Sequence, residues 1–174
     1  MKTITIGFSR SKKNFAIGSY AIRWYMSTPY SHVYLKFDAA SLERKLIYEA
    51  VGAGVRFIGA DRWCTHAQEV DSFTLNVSDA SYKQIMQYCI DNAGIDYGFW
   101  QNFGVLIASA FKMKKNPLTD GENCSEAIGG LLELEGYKID KDLNLLTPKD
   151  IHEILTSQGP QGLVQATQGP LQTQ

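Results

Sequence analysis

Long apolar runs, a disulfide-forming set of cysteines and a dominant sign of charge are all missing from this 174-residue chain. The apolar stretch Val105-Leu106-Ile107-Ala108 is far too short to cross a bilayer, so no integral membrane segment is expected. The opening residues, Met1-Lys2-Thr3-Ile4-Thr5-Ile6-Gly7-Phe8, are too short an apolar stretch for a signal peptide, which points to a cytoplasmic protein. Cys64, Cys89 and Cys124 cannot all pair, and their spacing gives no secreted framework, so a reducing compartment is expected. A net charge of -1 argues against a nucleic-acid surface. The local basic run Lys112, Lys114 and Lys115 precedes Asn116-Pro117 and reads as a solvated loop or as a patch for an acidic substrate. Cys64 and His66 lack a second close pair of ligands, so no structural zinc, no other metal and no cofactor are expected.

What the chain does have is enough apolar content, 44%, to bury a core without covalent help. Residues 1–156 read as one domain. Residues 157–174 carry no charge, repeat Gln-Gly and Gly-Pro, and read as a flexible tail or one that docks to a partner. Alternation predicts strands at 3–8, 31–37, 45–51, 55–58 and 70–77. Helical spacing predicts a helix over 16–25, with Ile17, Tyr20, Ala21 and Trp24 on one side, and another over 99–111. A further helix is capped at Ser78-Asp79, runs to Asn92 and carries Cys89 in the core; a last short one starts at Thr147-Pro148 and ends near Leu155. Strands grouped before helices give an α+β class with a small antiparallel sheet.

The chemistry centres on Cys124. Cys124, Ala127, Ile128, Leu131 and Leu132 recur at the spacing of a buried helical stripe, and Gly136 supplies the stop. Gly121 breaks structure just before it, and Asp120 or Asn123 can cap the first turn. A cysteine in a first turn meets unpaired N–H groups and the positive end of the helix dipole, which favour thiolate over thiol. The plain alternative is a small core residue. In Ser31-His32-Val33-Tyr34-Leu35-Lys36-Phe37, alternation sends Val33, Leu35 and Phe37 to the core and His32 to the opposite face beside Tyr34 and Lys36. A hairpin turning near Ala40 and Ser41 brings Glu49 opposite or next to His32, close enough to fix the imidazole tautomer. A solvated His and Glu on an exposed sheet face is the alternative.

The ordered set Tyr30-Ser31-His32-Val33-Tyr34-Leu35, Tyr48-Glu49-Ala50-Val51-Gly52-Ala53-Gly54-Val55, Asp96-Tyr97, Asn123-Cys124-Ser125-Glu126 and Leu146-Thr147-Pro148-Lys149-Asp150 resembles the circularly permuted papain-like cysteine hydrolases of the NlpC-type superfamily, YiiX-like branch. The resemblance spans residues 4–155. It implies a permuted papain-like fold, with Cys124 as nucleophile, His32 as general base and then acid, and Glu49 as the acid that orients the imidazole. Backbone donors around Asn123 and Ser125 would hold the oxyanion, and Tyr97 would add a donor or line the cleft, or simply pack in its glycine-rich loop. The implied activity is that of a thiol amidase or peptidase forming a thioester, with bacterial cell-wall peptide (peptidoglycan) as the leading substrate class. An acyltransferase would use the same triad with another acceptor, and a non-enzymatic binding or virion-structural module on the same fold is the rival from another class. Phage-encoded proteins share this general look, so a viral source fits the resemblance.

Overall fold

The computed structural model describes residues 2–12, 17–39, 43–51, 54–95, 124–158 and 163–165, without the side chains of Ile17, Cys124, Glu126, Asn144 and residues 163–165. Six strands form one antiparallel sheet: β1 (Lys2–Ser11), β2 (His32–Ala39), β3 (Arg44–Val51), β4 (Gly54–Gly59), β5 (Ala67–Val77) and β6 (Leu163–Gln165), in the spatial order β4-β3-β2-β1-β5-β6. The helices are α1 (Ile17–Met26), α2 (Ala60–Trp63), α3 (Asp79–Asp91), α4 (Cys124–Leu134) and α5 (Pro148–Ser157), with a 3-10 turn at Leu143–Leu145. The architecture is α+β, as the order of periodicities predicts. The expected helix over 99–111 lies outside the described residues.

Alternation sorts the sheet into two faces. Ile4, Ile6 and Phe8 of β1, Val33, Leu35 and Phe37 of β2, and Leu75 and Val77 of β5 are buried on one face. There they share a core with Ile85 and Cys89 of α3, Ala127, Ile128, Leu131 and Leu132 of α4, and Ile151 and Leu155 of α5. The helices hold this position because their ends are well determined. Ser78 accepts from the Ser81 amide at the start of α3, and Thr147 with Asp150 forms a reciprocal capping box at α5, behind a proline in the first turn. Gly136 ends α4 at φ +84°, with its N–H to the Glu133 carbonyl and the Tyr137 N–H to the Leu132 carbonyl, a Schellman closure that needs the left-handed residue glycine tolerates. Predicted bounds for α3 hold to within a residue, and α5 runs slightly past Leu155.

The opposite face is not left to solvent. Tyr34, Ile47, Trp63 and Ala67 form a second small cluster there, with Ile58 and Ala60 against it. Gly7 pairs with Tyr34 across β1 and β2, and the tyrosine ring lies over it: a Cβ on Gly7 would fall 2.2 Å from the ring carbon Cζ. The ring packs on Trp63 at a centroid distance of 4.6 Å, and its hydroxyl donates to Glu69.

Two features go beyond what the periodicities state. The side of α1 that carries Tyr20 and Trp24 faces outward, with Tyr20 68% and Trp24 79% exposed, while Met26 is buried. Helical periodicity reports that a helix has an apolar side and not that anything covers it. In residues 157–174, Leu163–Gln165 pairs with Phe73, Thr74 and Leu75 of β5, so part of the tail docks on the chain's own sheet.

Candidate active site

β2 and β3 carry the histidine and the acid. Their register pairs Leu35 with Tyr48 and Lys36 with Ile47, which places Glu49 on the same face as His32 and diagonal to it across the ladder. His32 Nε2 lies 3.4 Å from Glu49 Oε2, an ion-pair distance rather than a well-directed hydrogen bond, and this buried nitrogen has no other hydrogen-bond partner among the described residues. His32 is one-quarter exposed along its side chain, whereas Glu49 is almost completely enclosed. With Nε2 turned to the acid, Nδ1 is the ring nitrogen left for a reacting group.

Glu49 is buried but amply solvated by the protein. Arg56, its register partner on β4, donates to Oε1 from Nη2 at 2.7 Å and from Nε at 3.1 Å, and the Trp63 indole N–H on α2 donates to Oε2 at 2.9 Å. Burial by itself pushes the carboxyl upward. The contacts with His32, Arg56 and Trp63 outweigh it and hold the carboxyl at about 2, well below its ordinary 4.5. The ionised form therefore stabilises the fold above the ordinary carboxylate range, and that contribution is lost as pH falls from about 4.5 toward 2. Its size is on the order of 3 kcal/mol. In urea unfolding at pH 6 and pH 3, the Glu49→Gln deficit relative to wild type should be roughly twice as large at pH 6 as at pH 3. An unchanged difference at the two pH values would show that Glu49 is not a buried anion.

Around this pair, His66 Nε2 lies 3.3 Å from Arg56 Nη2 and 3.8 Å from Glu49 Oε1, and Glu69 accepts from Lys36 Nζ at 2.8 Å as well as from Tyr34. The Tyr34 hydroxyl is pushed far up, by burial first and then by Glu69. A separate His152–Asp71 pair, 2.9 Å apart, sits on the core side of the sheet with the imidazole packed on Phe8, Tyr30 and Phe73.

The structure thus brings His32 and Glu49 together as the hairpin predicts. Cys124 begins α4, whose Ala127, Ile128, Leu131 and Leu132 face the core as the stripe predicts. The Cys124 side chain itself, and Tyr97 and Asn123 entirely, lie outside the described residues, as does the basic run at 112–115. Ser125 is buried in the first turn of α4. Cys64 is exposed and Cys89 fully buried, the latter as expected for a core thiol. Sequence reasoning missed Arg56, Trp63 and the Asp71–His152 pair. Arg56 had a readable signal, an opposite charge seven residues after Glu49 with Gly52-Ala53-Gly54 between them, whereas Trp63 had none.

No family model matches the chain, and no curated protein matches it. A solved structure does: the metalloprotein YiiX from Escherichia coli O157:H7 aligns over 97% of this chain and 97% of its own, with a TM-score of 0.55 and 16% identity. The chain is similar in fold to YiiX. At that identity the likeness to YiiX covers the fold alone. Among the described residues, no helix is long and apolar enough to cross a membrane.

Proposed function

We propose that the chain is a thiol hydrolase of the permuted papain-like type, an amidase or peptidase in which Cys124 attacks the carbonyl, His32 moves the proton and Glu49 holds the imidazole. The observation that carries this reading is the His32–Glu49 pair: an imidazole with one nitrogen 3.4 Å from a buried carboxylate held at about 2. A permanently anionic partner fixes the ring and stabilises the imidazolium formed when the thiol gives up its proton. The position of Cys124 in the first turn of α4 supports it as well, because that turn offers unpaired amides to a thiolate and to an oxyanion. In the reaction the thiolate adds to the amide carbonyl, the imidazolium protonates the departing amine, and water, deprotonated by His32, cleaves the thioester. Tyr97, Asn123 and Ser125 belong to the proposed substrate and oxyanion side by resemblance. Peptide amides, cell-wall peptide foremost, are the proposed substrate class, and an acyl acceptor other than water would turn the same machinery into a transferase.

YiiX is a metalloprotein, which raises the question of a metal here. The described residues do not fit one: no group of three or more His, Cys, Asp or Glu is arranged around a common point, and the space between Glu49 and His66 is taken by the Arg56 guanidinium, 2.7 Å from one and 3.3 Å from the other. A second cation there would meet a fixed positive charge. No step is assigned to a metal.

The deciding experiment incubates wild type and Cys124→Ala with peptidoglycan, peptide and ester panels and reads products by mass spectrometry. Products that depend on Cys124 are expected from an amide panel. Identical product profiles from the two proteins would remove the thiol reading.

A further inference from the structure

We propose that Arg56 and Trp63 are positioning residues that pin the Glu49 carboxylate so that one lone pair of Oε2 is presented to His32. The inference builds on the thiol reading and adds a role to two residues that touch neither thiol nor substrate in it. Its basis is the distribution of donors. An ionised carboxylate offers about four lone-pair sites on its two oxygens. Arg56 engages Oε1 twice, at 2.7 and 3.1 Å, and Trp63 engages Oε2 at 2.9 Å, so the site left over is on Oε2, the oxygen that lies 3.4 Å from His32 Nε2. A terminal carboxylate torsion is broad and two-fold on its own. Here a guanidinium from β4 holds one oxygen and an indole N–H from α2 the other, so a partial turn of the group weakens all three bonds and a half turn only exchanges two equivalent oxygens.

Both donors are themselves held. Trp63 is buried, with its ring 4.6 Å from Tyr34. Its helix, α2, has only four residues, and its end is tied down by the Cys64 N–H to the Ala60 carbonyl and by Lys12 Nζ to the Cys64 carbonyl at 2.6 Å. So short a helix has no stability of its own; what it delivers is the indole. Arg56 is backed by His66. The His66 Nε2 atom lies 3.3 Å from Arg56 Nη2. Stability alone does not single out this cluster, since apolar residues filling the same space commonly match an enclosed carboxylate and its partners. Fixing a charge in one orientation does give a reason.

The test uses the full chain with Arg56→Gln, Arg56→Lys, Trp63→Phe and His32→Ala, read in two ways. The first is the titration of the Glu49 carboxyl by carbon-13 NMR, which needs no enzymatic activity. Arg56→Gln should raise its midpoint from about 2 toward 4.5, and Arg56→Lys should restore most of the difference. The second is the rate of Cys124 alkylation by iodoacetamide across pH. Trp63→Phe keeps the ring packing but removes one hydrogen bond, and should slow alkylation at pH 6 by about 5- to 10-fold. If the Glu49 midpoint stays put in Arg56→Gln, and Trp63→Phe alkylates like wild type at every pH while His32→Ala is slowed, the positioning role is wrong and the thiol reading stands. If His32→Ala alkylates like wild type, the thiol reading falls, and the titration alone still decides whether Arg56 governs the state of Glu49.

Discussion

Cys124→Ala and His32→Ala are each expected to reduce turnover to background, and the double variant to be scarcely worse than either. Nucleophile and base act on one proton and one bond, so losing either removes the whole covalent route, and the second loss has nothing left to take. The residual rate should come from binding and oxyanion donors alone. Glu49→Gln should fall in between, because an amide of the same shape still fills the site but no longer stabilises the imidazolium, and its NH2 group cannot accept from the Arg56 or Trp63 donor it faces. The measurement is kcat/KM for wild type and the four variants on the substrate found by the product screen. Multiplicative losses in the double variant would mean that the two residues act independently, contrary to a shared mechanism. Full turnover in Cys124→Ala would mean that the reaction does not pass through the thiol.

Gly7→Val should destabilise the protein by about 1–3 kcal/mol or more, the range for forcing extra carbon into a packed interior. Even the first added carbon would sit 2.2 Å from Cζ and 2.4 Å from the hydroxyl of Tyr34. Tyr34 is completely buried, leans on Trp63 and donates to Glu69, so its ring has no free direction in which to yield. The strain should pass through Trp63 to Glu49, and activity should fall together with stability. Urea unfolding of Gly7→Val in wild type and in a Tyr34→Leu background checks the mechanism. The penalty should shrink sharply once the ring is gone, and an equal penalty in both backgrounds would assign it to the backbone of β1.

The alternation of Val33, Leu35 and Phe37 and the stripe of Ala127, Ile128, Leu131 and Leu132 made the main core readable, because one buried face imposes one period. The same alternation left the other face of β2 looking like solvent. It is not, since Tyr34 is as buried as Phe37, and what covers it is Trp63, from a four-residue helix with no periodicity to detect. His32 and Glu49 were legible as a pair because hairpin register is local arithmetic. The state of Glu49 was not, because it depends on Arg56 and Trp63, brought in by β4 and α2. On α1 the period was right and carried no direction. Tyr20 and Trp24 recur at helical spacing whether they meet a core or nothing.

The pairing of Leu163–Gln165 with β5 bears on how the molecule behaves at high concentration. Without that short strand, Phe73, Thr74 and Leu75 would present open backbone N–H and C=O groups along the margin of the sheet, a ready template for another chain. Leu163–Gln165 thus acts as a selvedge, leaving a very short strand at that margin in place of this stretch of a long one, and a protein without it would be more prone to join its own copies edge to edge.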